Sequence, residues 1–349
     1  MIKNKLILYI GIKVLAAFIC HADRMALWPE GKIPDFQPHQ IAATNKVVKA
    51  KNFNRTEHIM PHLDWFDPPK KKNGACILLI TGGGYNACVD GLWIDRLAER
   101  FTELGYVCVN LTYRTPRPQG LPIYQSAWQD GQRAVRLIRR AAKDRGFDPE
   151  KIGALGFSAG SHMTMLLGTS SQTPAYQPID ELDKLPCHIN LAIPVYTAYA
   201  LTDGLTGRNT RDGDGIDVKL SDAFKFDANT CPMALFHGGT DVYSPNGSIQ
   251  IYRELRRMNI PAEIHLFADR GHGFMGDPNK GENGTAFDHW IDRITEFMRQ
   301  MNFDGQLGKE IDLLSRFKSD ADRKEYRKES IWPDGEIPNL QAKQNQPYL

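Results

Sequence analysis

The chain has 349 residues, of which 42% are hydrophobic and 24% charged, with a formal charge of +2. That is enough chain to bury one large core or two small ones, and the apolar content is ordinary for a globular protein. The near balance of charge excludes the strongly basic footprint of a nucleic-acid binder and an acidic solvating tail.

The N-terminus differs from the rest. Lys3 and Lys5 precede the apolar run LILYIGIKVLAAFIC, which ends at Cys20-His21-Ala22. A positive start, an apolar stretch and a small final residue read as a secretory leader over 1–22, with cleavage expected after Ala22 and a secreted or periplasmic location. Lys13 interrupts the run, which is too short and too charged for a spanning helix. LWPEGKIPDFQPHQ follows at 27–40. It returns as IWPDGEIPNLQAKQ at 331–344, identical at seven of fourteen positions.

From about residue 60 to 300 apolar runs alternate with helical spacing. A first strand is expected near PHLDWF (61–66). ACILLIT (75–81) and YVCVNLTY (106–113) are continuous apolar runs, as in strands buried on both faces. KIGALGFS (151–158), HINLAIPVY (188–196), PMALFHG (232–238) and AEIHLF (262–267) add further strands. Helices are expected over 93–105, 127–146, 159–170, 248–259 and 287–301. The alternation predicts an α/β fold with a mostly parallel sheet covered by helices on both faces. TGRNTRDGDGID (206–217) breaks the rhythm and reads as a solvated turn, since no glutamate closes a calcium-loop register around Asp212, Asp214 and Asp217. Residues 303–349 read as a charged extension, which leaves 23–302 as the main domain. The six cysteines show no C-x-x-C pair and no zinc spacing, so buried thiols are expected, with a single disulfide left open.

Gly156-Phe157-Ser158-Ala159-Gly160 fits G-x-S-x-G. Chance alone gives on the order of 0.1 such matches in a chain this long. Its place between an apolar strand and a helix is what gives it weight, because a nucleophile elbow sits there. A serine hydroxyl needs a base, and this motif is followed in chain order by an acid and then a histidine. Asp241 follows the run at 232–238, and His272 follows the run at 262–267. Asp241 is therefore expected to orient His272, and His272 to take the Ser158 proton. Asp269 is the competing acid. Thr81-Gly82-Gly83-Gly84-Tyr85 stands where an oxyanion loop belongs, which nominates the N–H groups of Gly83, Gly84 and Ala159. A phosphate-binding loop is the weaker reading of these glycines, for they lack the G-x-G-x-x-G spacing and a P-loop lysine. Tyr85 and Tyr243, beside the loop and the acid, are expected to touch substrate. Trp28 is expected to pack on the body.

Together these motifs resemble the α/β-hydrolase carboxylesterases of the acetylxylan-esterase-like group, BD-FAE and dienelactone-hydrolase relatives included. The likeness runs over roughly 27–300 and rests on TGGGY, Tyr113-Arg114, DGQRAVR (130–136), DPEKIGALGFSAGSHM, HGGTD and DRGHGF. Thr81, Asp90 and Ser161 depart from the usual Pro, Glu and Gly. The resemblance implies the α/β-hydrolase fold and removal of acetyl groups from xylan or related sugars. It implies no metal or cofactor; an ester or acetylated polysaccharide is the expected partner. A prolyl-oligopeptidase-type peptidase, a xylan-cleaving glycosidase and a non-catalytic glycan-binding module are the alternatives.

Overall fold

The structure, a computed structural model, describes residues 23–37, 47–49, 54–56, 60–70, 72–90, 92–202, 218–274 and 290–305. The expected leader, the aspartate-rich stretch 206–217 and the second copy at 331–344 lie outside the described residues.

The described strands are β1 (Asp23–Ala26), β2 (Val47–Lys49), β3 (Asn54–Thr56), β4 (His62–Phe66), β5 (Cys76–Ile80), β6 (Cys88–Asp90), β7 (Val107–Thr112), β8 (Ile152–Phe157), β9 (Leu191–Val195), β10 (Met233–Gly238) and β11 (Ala262–Phe267). The helices are α1 (Leu92–Glu103), α2 (Gln125–Arg145), α3 (Ala159–Thr169), α4 (Asn246–Arg257) and α5 (Trp290–Gln300). An eight-stranded sheet takes the order β1-β4-β7-β5-β8-β9-β10-β11. β1, β4 and β7 pair antiparallel, and from β7 to β11 every pairing is parallel.

The pleat explains why the central strands are apolar throughout. In β5 the side chains of Cys76, Leu78 and Ile80 enter one core cluster, and those of Ile77 and Leu79 enter the other. Alternate residues of a strand point to opposite faces, so a strand covered on both sides has no polar face. On the first face the cluster takes in Val135 and Ile138 of α2, Leu166 of α3 and Ile251 of α4. On the second it takes in Leu97 and Phe101 of α1 and Ile294 and Phe297 of α5. This is the α/β-hydrolase architecture. None of the helices among the described residues is long and apolar enough to cross a membrane.

Three features go beyond the sequence reading. β1 adds an antiparallel edge strand before the expected first strand. β2, β3 and β6 form a separate three-stranded antiparallel sheet. The body also continues past 302. Phe303 is buried in the second cluster, and buried Asp304 accepts a hydrogen bond from Tyr106 Oη at 3.4 Å. The described body therefore runs past the expected boundary at 302, to the last described residue, Gly305.

Residues 27–37 lie across α2 as a strap. Trp28 is buried, as expected, with its ring edge-on to Tyr176 at 4.9 Å. The Arg133 guanidinium stands over the Trp28 ring at 5.3 Å, and its Nε donates to the Leu27 carbonyl. Arg114 donates to the Pro34 carbonyl, and Gln129 donates to Asp35. All five described cysteines are buried and none is in a disulfide.

Candidate active site

β8 ends at Phe157 and α3 begins at Ala159, so Ser158 is the whole turn between them. Its backbone takes φ 56 and ψ −116. A non-glycine residue in that region stores about 1–3 kcal/mol and persists only where its surroundings dictate it. Here Ser158 N–H donates to the Val195 carbonyl at 3.1 Å, and its own carbonyl accepts from His162 N–H at 3.0 Å. The flanking glycines leave no room for anything larger. A Cβ on Gly156 would fall 2.2 Å from Thr164 Oγ1, and one on Gly160 would fall 2.2 Å from the Ile80 carbonyl oxygen.

The parallel strands bring the other two groups to the same edge. Ser158 Oγ stands 2.7 Å from His272 Nε2. His272 Nδ1 stands 2.9 Å from both Asp241 oxygens. The Asp241 side chain is wholly buried, whereas His272 remains open to solvent. A buried carboxylate on Nδ1 selects the tautomer with its proton there, which leaves Nε2 to accept from the serine hydroxyl. Asp241 Oδ1 also accepts from Tyr243 N–H at 2.8 Å, which holds the acid's loop. Asp269, the competing acid, is 80% exposed and faces Arg270 at 3.5 Å.

The glycine loop runs directly against the serine. A Cβ on Gly82 would lie 3.0 Å from Ser158 Cβ. Four successive carbonyls of this loop are each taken. Thr81 O accepts from Tyr113 Oη at 3.1 Å, and Gly82 O from Val89 N–H at 2.9 Å. Gly83 O accepts from the N–H groups of Asn86 and Ala87, and Gly84 O from Arg117 Nε at 2.8 Å. In a trans peptide the carbonyl and the next N–H point opposite ways. Anchoring the Gly82 and Gly83 carbonyls thus turns the N–H groups of Gly83 and Gly84 the other way. Neither amide has a backbone acceptor among the described residues. Gly83 has φ 134, and a Cβ there would meet the Ala87 oxygen at 1.8 Å, so only glycine fits.

Tyr85 corrects an expectation. It is 1% exposed, and its hydroxyl lies 2.8 Å from His162 Nδ1. Burial pushes the His162 imidazole down to about 3, so the ring that shares a hydrogen bond with the Tyr85 hydroxyl is neutral. With φ 62, Tyr85 has its ring buried in the first core between Tyr113 and Tyr199, which leaves little of it exposed for a ligand. Tyr243 is half-buried, with its ring centroid 4.9 Å from His272. The sequence reading missed three neighbours. Tyr196 also meets His272 edge-on, at 5.0 Å, and Tyr199 lies 5.5 Å from Tyr243. Arg117 Nη2 donates to Tyr199 Oη at 2.7 Å. No local pattern marks these residues; only the tertiary approach of three loops does. Among the described residues no three His, Cys, Asp or Glu side chains converge as a metal cluster.

The BD-FAE family model matches residues 63–255, more than half of the chain. The chain belongs to this family. A dienelactone hydrolase family model also matches residues 217–302. Among curated proteins, the chain is 29% identical over 209 residues to endo-1,4-beta-xylanase B of Butyrivibrio fibrisolvens, covering 57% of this chain and 32% of that one. It is 33% identical over 108 residues to esterase LipQ of Mycobacterium tuberculosis, covering 31% and 24%. It is 26% identical over 216 residues to an acetylxylan esterase of Xylanibacter ruminicola, covering 59% and 42%. The chain thus matches under half the length of each. Among solved structures, an acetyl ester-xyloside bifunctional hydrolase from Caldicellulosiruptor lactoaceticus superposes with a TM-score of 0.61 at 20% identity, covering 82% of this chain and 99% of that one. Esterase 2 of Thermogutta terrifontis gives 0.57 at 22% identity, covering 76% and 97%. At these identities the two structures speak to the fold alone.

Proposed function

We propose that the protein is a serine-type carboxylic ester hydrolase that removes acetyl groups from xylan or a related glycan. The observation that carries this reading is the hydrogen-bonded run Ser158–His272–Asp241 on a strained elbow beside the glycine loop. Family membership supports ester chemistry, and the relatives named as acetylxylan esterase and xylanase support a xylan-related substrate.

Ser158 Oγ attacks the ester carbonyl while His272 Nε2 takes the hydroxyl proton. The buried Asp241 carboxylate stabilises the resulting imidazolium through Nδ1–H. The new oxyanion is held by the N–H groups of Gly83, Gly84 and Ala159, the last at the N-terminus of α3. Collapse breaks the bond to the sugar oxygen, and His272 returns the proton to that leaving oxygen. Water, deprotonated by His272, then attacks the acetyl-Ser158 ester and releases acetate. Lys3, Lys5 and the apolar run ending at Ala22 support export, which would bring the enzyme to polymeric substrate.

The relatives named as xylanase and as xyloside hydrolase raise a glycosidase reading. That chemistry needs two carboxyl groups about 5–10 Å apart flanking the sugar bond. Asp241 is wholly buried against His272, which disfavours it as one of the pair. Hydrolysis of p-nitrophenyl acetate by Ser158→Ala tests the proposal. Loss of turnover is expected, and unchanged turnover would overturn it. Acetate release from acetylated xylan, beside other acetylated glycans, tests the substrate.

A further inference from the structure

We infer that Arg117 is a positioning residue for the oxyanion loop, clamping its far end so that the loop amides stay aimed at the reacting carbonyl. The inference rests on the esterase reading and adds a residue that lies 41 positions before the serine and outside every motif in the chain.

The loop Thr81–Gly84 owes its shape to the partners of its carbonyls. The first three are held by neighbouring structure: Thr81 by the buried hydroxyl of Tyr113, Gly82 by Val89 N–H in β6, and Gly83 by the N–H groups of Asn86 and Ala87 in the turn between. The Gly84 carbonyl is different. Its partner is a half-buried guanidinium arriving from the loop after β7, at 2.8 Å. Gly84 itself has φ 64 and no side chain to limit its rotation. The Gly84 amide lies in the 83–84 peptide plane, held on one side through the Gly83 carbonyl; Arg117 holds the next plane, 84–85, and without it the Gly84 Cα that joins the two planes loses its second restraint.

Arg117 also ties this loop to the opposite wall. Nη2 donates to Tyr199 Oη at 2.7 Å, and the guanidinium carbon lies 5.5 Å from the Tyr199 ring. Tyr199 stacks on Tyr85 at 6.0 Å and meets Tyr243 edge-on, and Tyr243 flanks His272. One guanidinium therefore links the oxyanion side to the acid–base side. A guanidinium suits this task because its planar fork presents separate donors to two acceptors, whereas a lysine offers one compact ammonium. An oxyanion donor acts through its position, and losing one costs about 10²–10³ in kcat, so a loosened loop should cost less than a deleted donor.

The test uses the full chain on p-nitrophenyl acetate, with Arg117→Ala, Arg117→Lys and Tyr199→Phe. We expect kcat to fall about 10–100-fold in Arg117→Ala, with KM within about threefold and the pH profile unmoved. Added guanidinium ion, at concentrations too low to unfold the protein, should restore part of that loss. Arg117→Lys should be impaired as well, and Tyr199→Phe should lose less and add nothing further in the double variant. Unchanged kcat, a loss confined to KM, no recovery with guanidinium, or additive losses in the double variant would each overturn the inference. If Arg117→Ala does not fold, the milder Arg117→Lys and Tyr199→Phe carry the same decision. Ser158→Ala separates the two levels. Turnover by Ser158→Ala defeats the esterase reading itself, whereas an inactive Ser158→Ala beside a fully active Arg117→Ala defeats only the clamp.

Discussion

Trp28 donates its indole N–H to Asp130 Oδ1 at 2.7 Å, across 102 residues of chain. The same carboxylate takes the backbone N–H and Nε of Arg114 at 2.7 and 2.9 Å, and the Arg114–Asp130 pair is wholly buried. The repeated motif is thus, in its first copy, an anchor for the body. Its contacts fall on α2, Arg114, Tyr176 and Gln119. Asp130→Asn leaves a buried guanidinium without its counter-charge, which costs about 3–5 kcal/mol. Trp28→Ala should cost about as much through lost packing. Arg24→Ala, by contrast, breaks a pair whose arginine is 66% exposed and should cost no more than about 1 kcal/mol. Urea titrations of the three variants check this order.

Truncation separates body from extension. A chain ending at Gly305 keeps every described packing contact and should hydrolyse ester within about twofold of the full chain. A chain ending at Asn302 loses the buried Phe303 ring and the Asp304–Tyr106 bond. Its melting temperature should drop by roughly 5–15 °C. Thermal melts and initial rates of the two truncations decide where the domain ends.

Acid should destabilise the fold through its histidines. Burial holds His162 down to about 3, against an ordinary value near 6.5, and burial lowers His188 and His237 as well. The unfolded chain takes up these protons as pH falls below about 6.5, while folded His162 refuses its proton until about 3. The stability that His162 contributes is therefore fully present above that range and lost as pH falls through it, by up to about 1.4 kcal/mol per pH unit; His188 and His237 act in the same direction. His162→Gln keeps a hydrogen-bonding group for the Tyr85 hydroxyl and removes the titration. Its unfolding free energy should fall less steeply between pH 6.5 and 4 than that of the parent, as read from denaturant curves across that range.

The two candidate acids should differ sharply in effect. Asp241→Asn replaces the partner of His272 Nδ1 by an amide that selects the wrong tautomer, and kcat should fall by about four orders of magnitude. Asp269→Asn alters an exposed side chain facing Arg270 and should leave kcat within about twofold. Steady-state rates on an acetyl ester measure both.

Much of this was legible in the sequence because the constraints are local. Gly156 and Gly160 betray the elbow, and the runs ending at Gly238 and Phe267 place Asp241 and His272 at one sheet edge. What escaped depends on tertiary contacts. β1 is short and mostly exposed, so no burial pattern reveals it. Tyr85 looks like a substrate contact from its place beside three glycines, yet its ring lies buried in the first core. Phe303 sits in a run that reads as charged, yet α5 carries it back into the core. Arg117 belongs to no motif, and its role depends on where the Gly84 carbonyl lies.

The central claim is that Ser158 is the nucleophile, and covalent trapping tests it most directly. Full-length protein is treated with a fluorophosphonate, digested, and the modified peptide is located by mass spectrometry. The account predicts one adduct per chain on Ser158, absent in Ser158→Ala and formed far more slowly in His272→Gln. Ester hydrolysis that persists with Ser158 unmodified, or an adduct on another residue that abolishes activity, would contradict it.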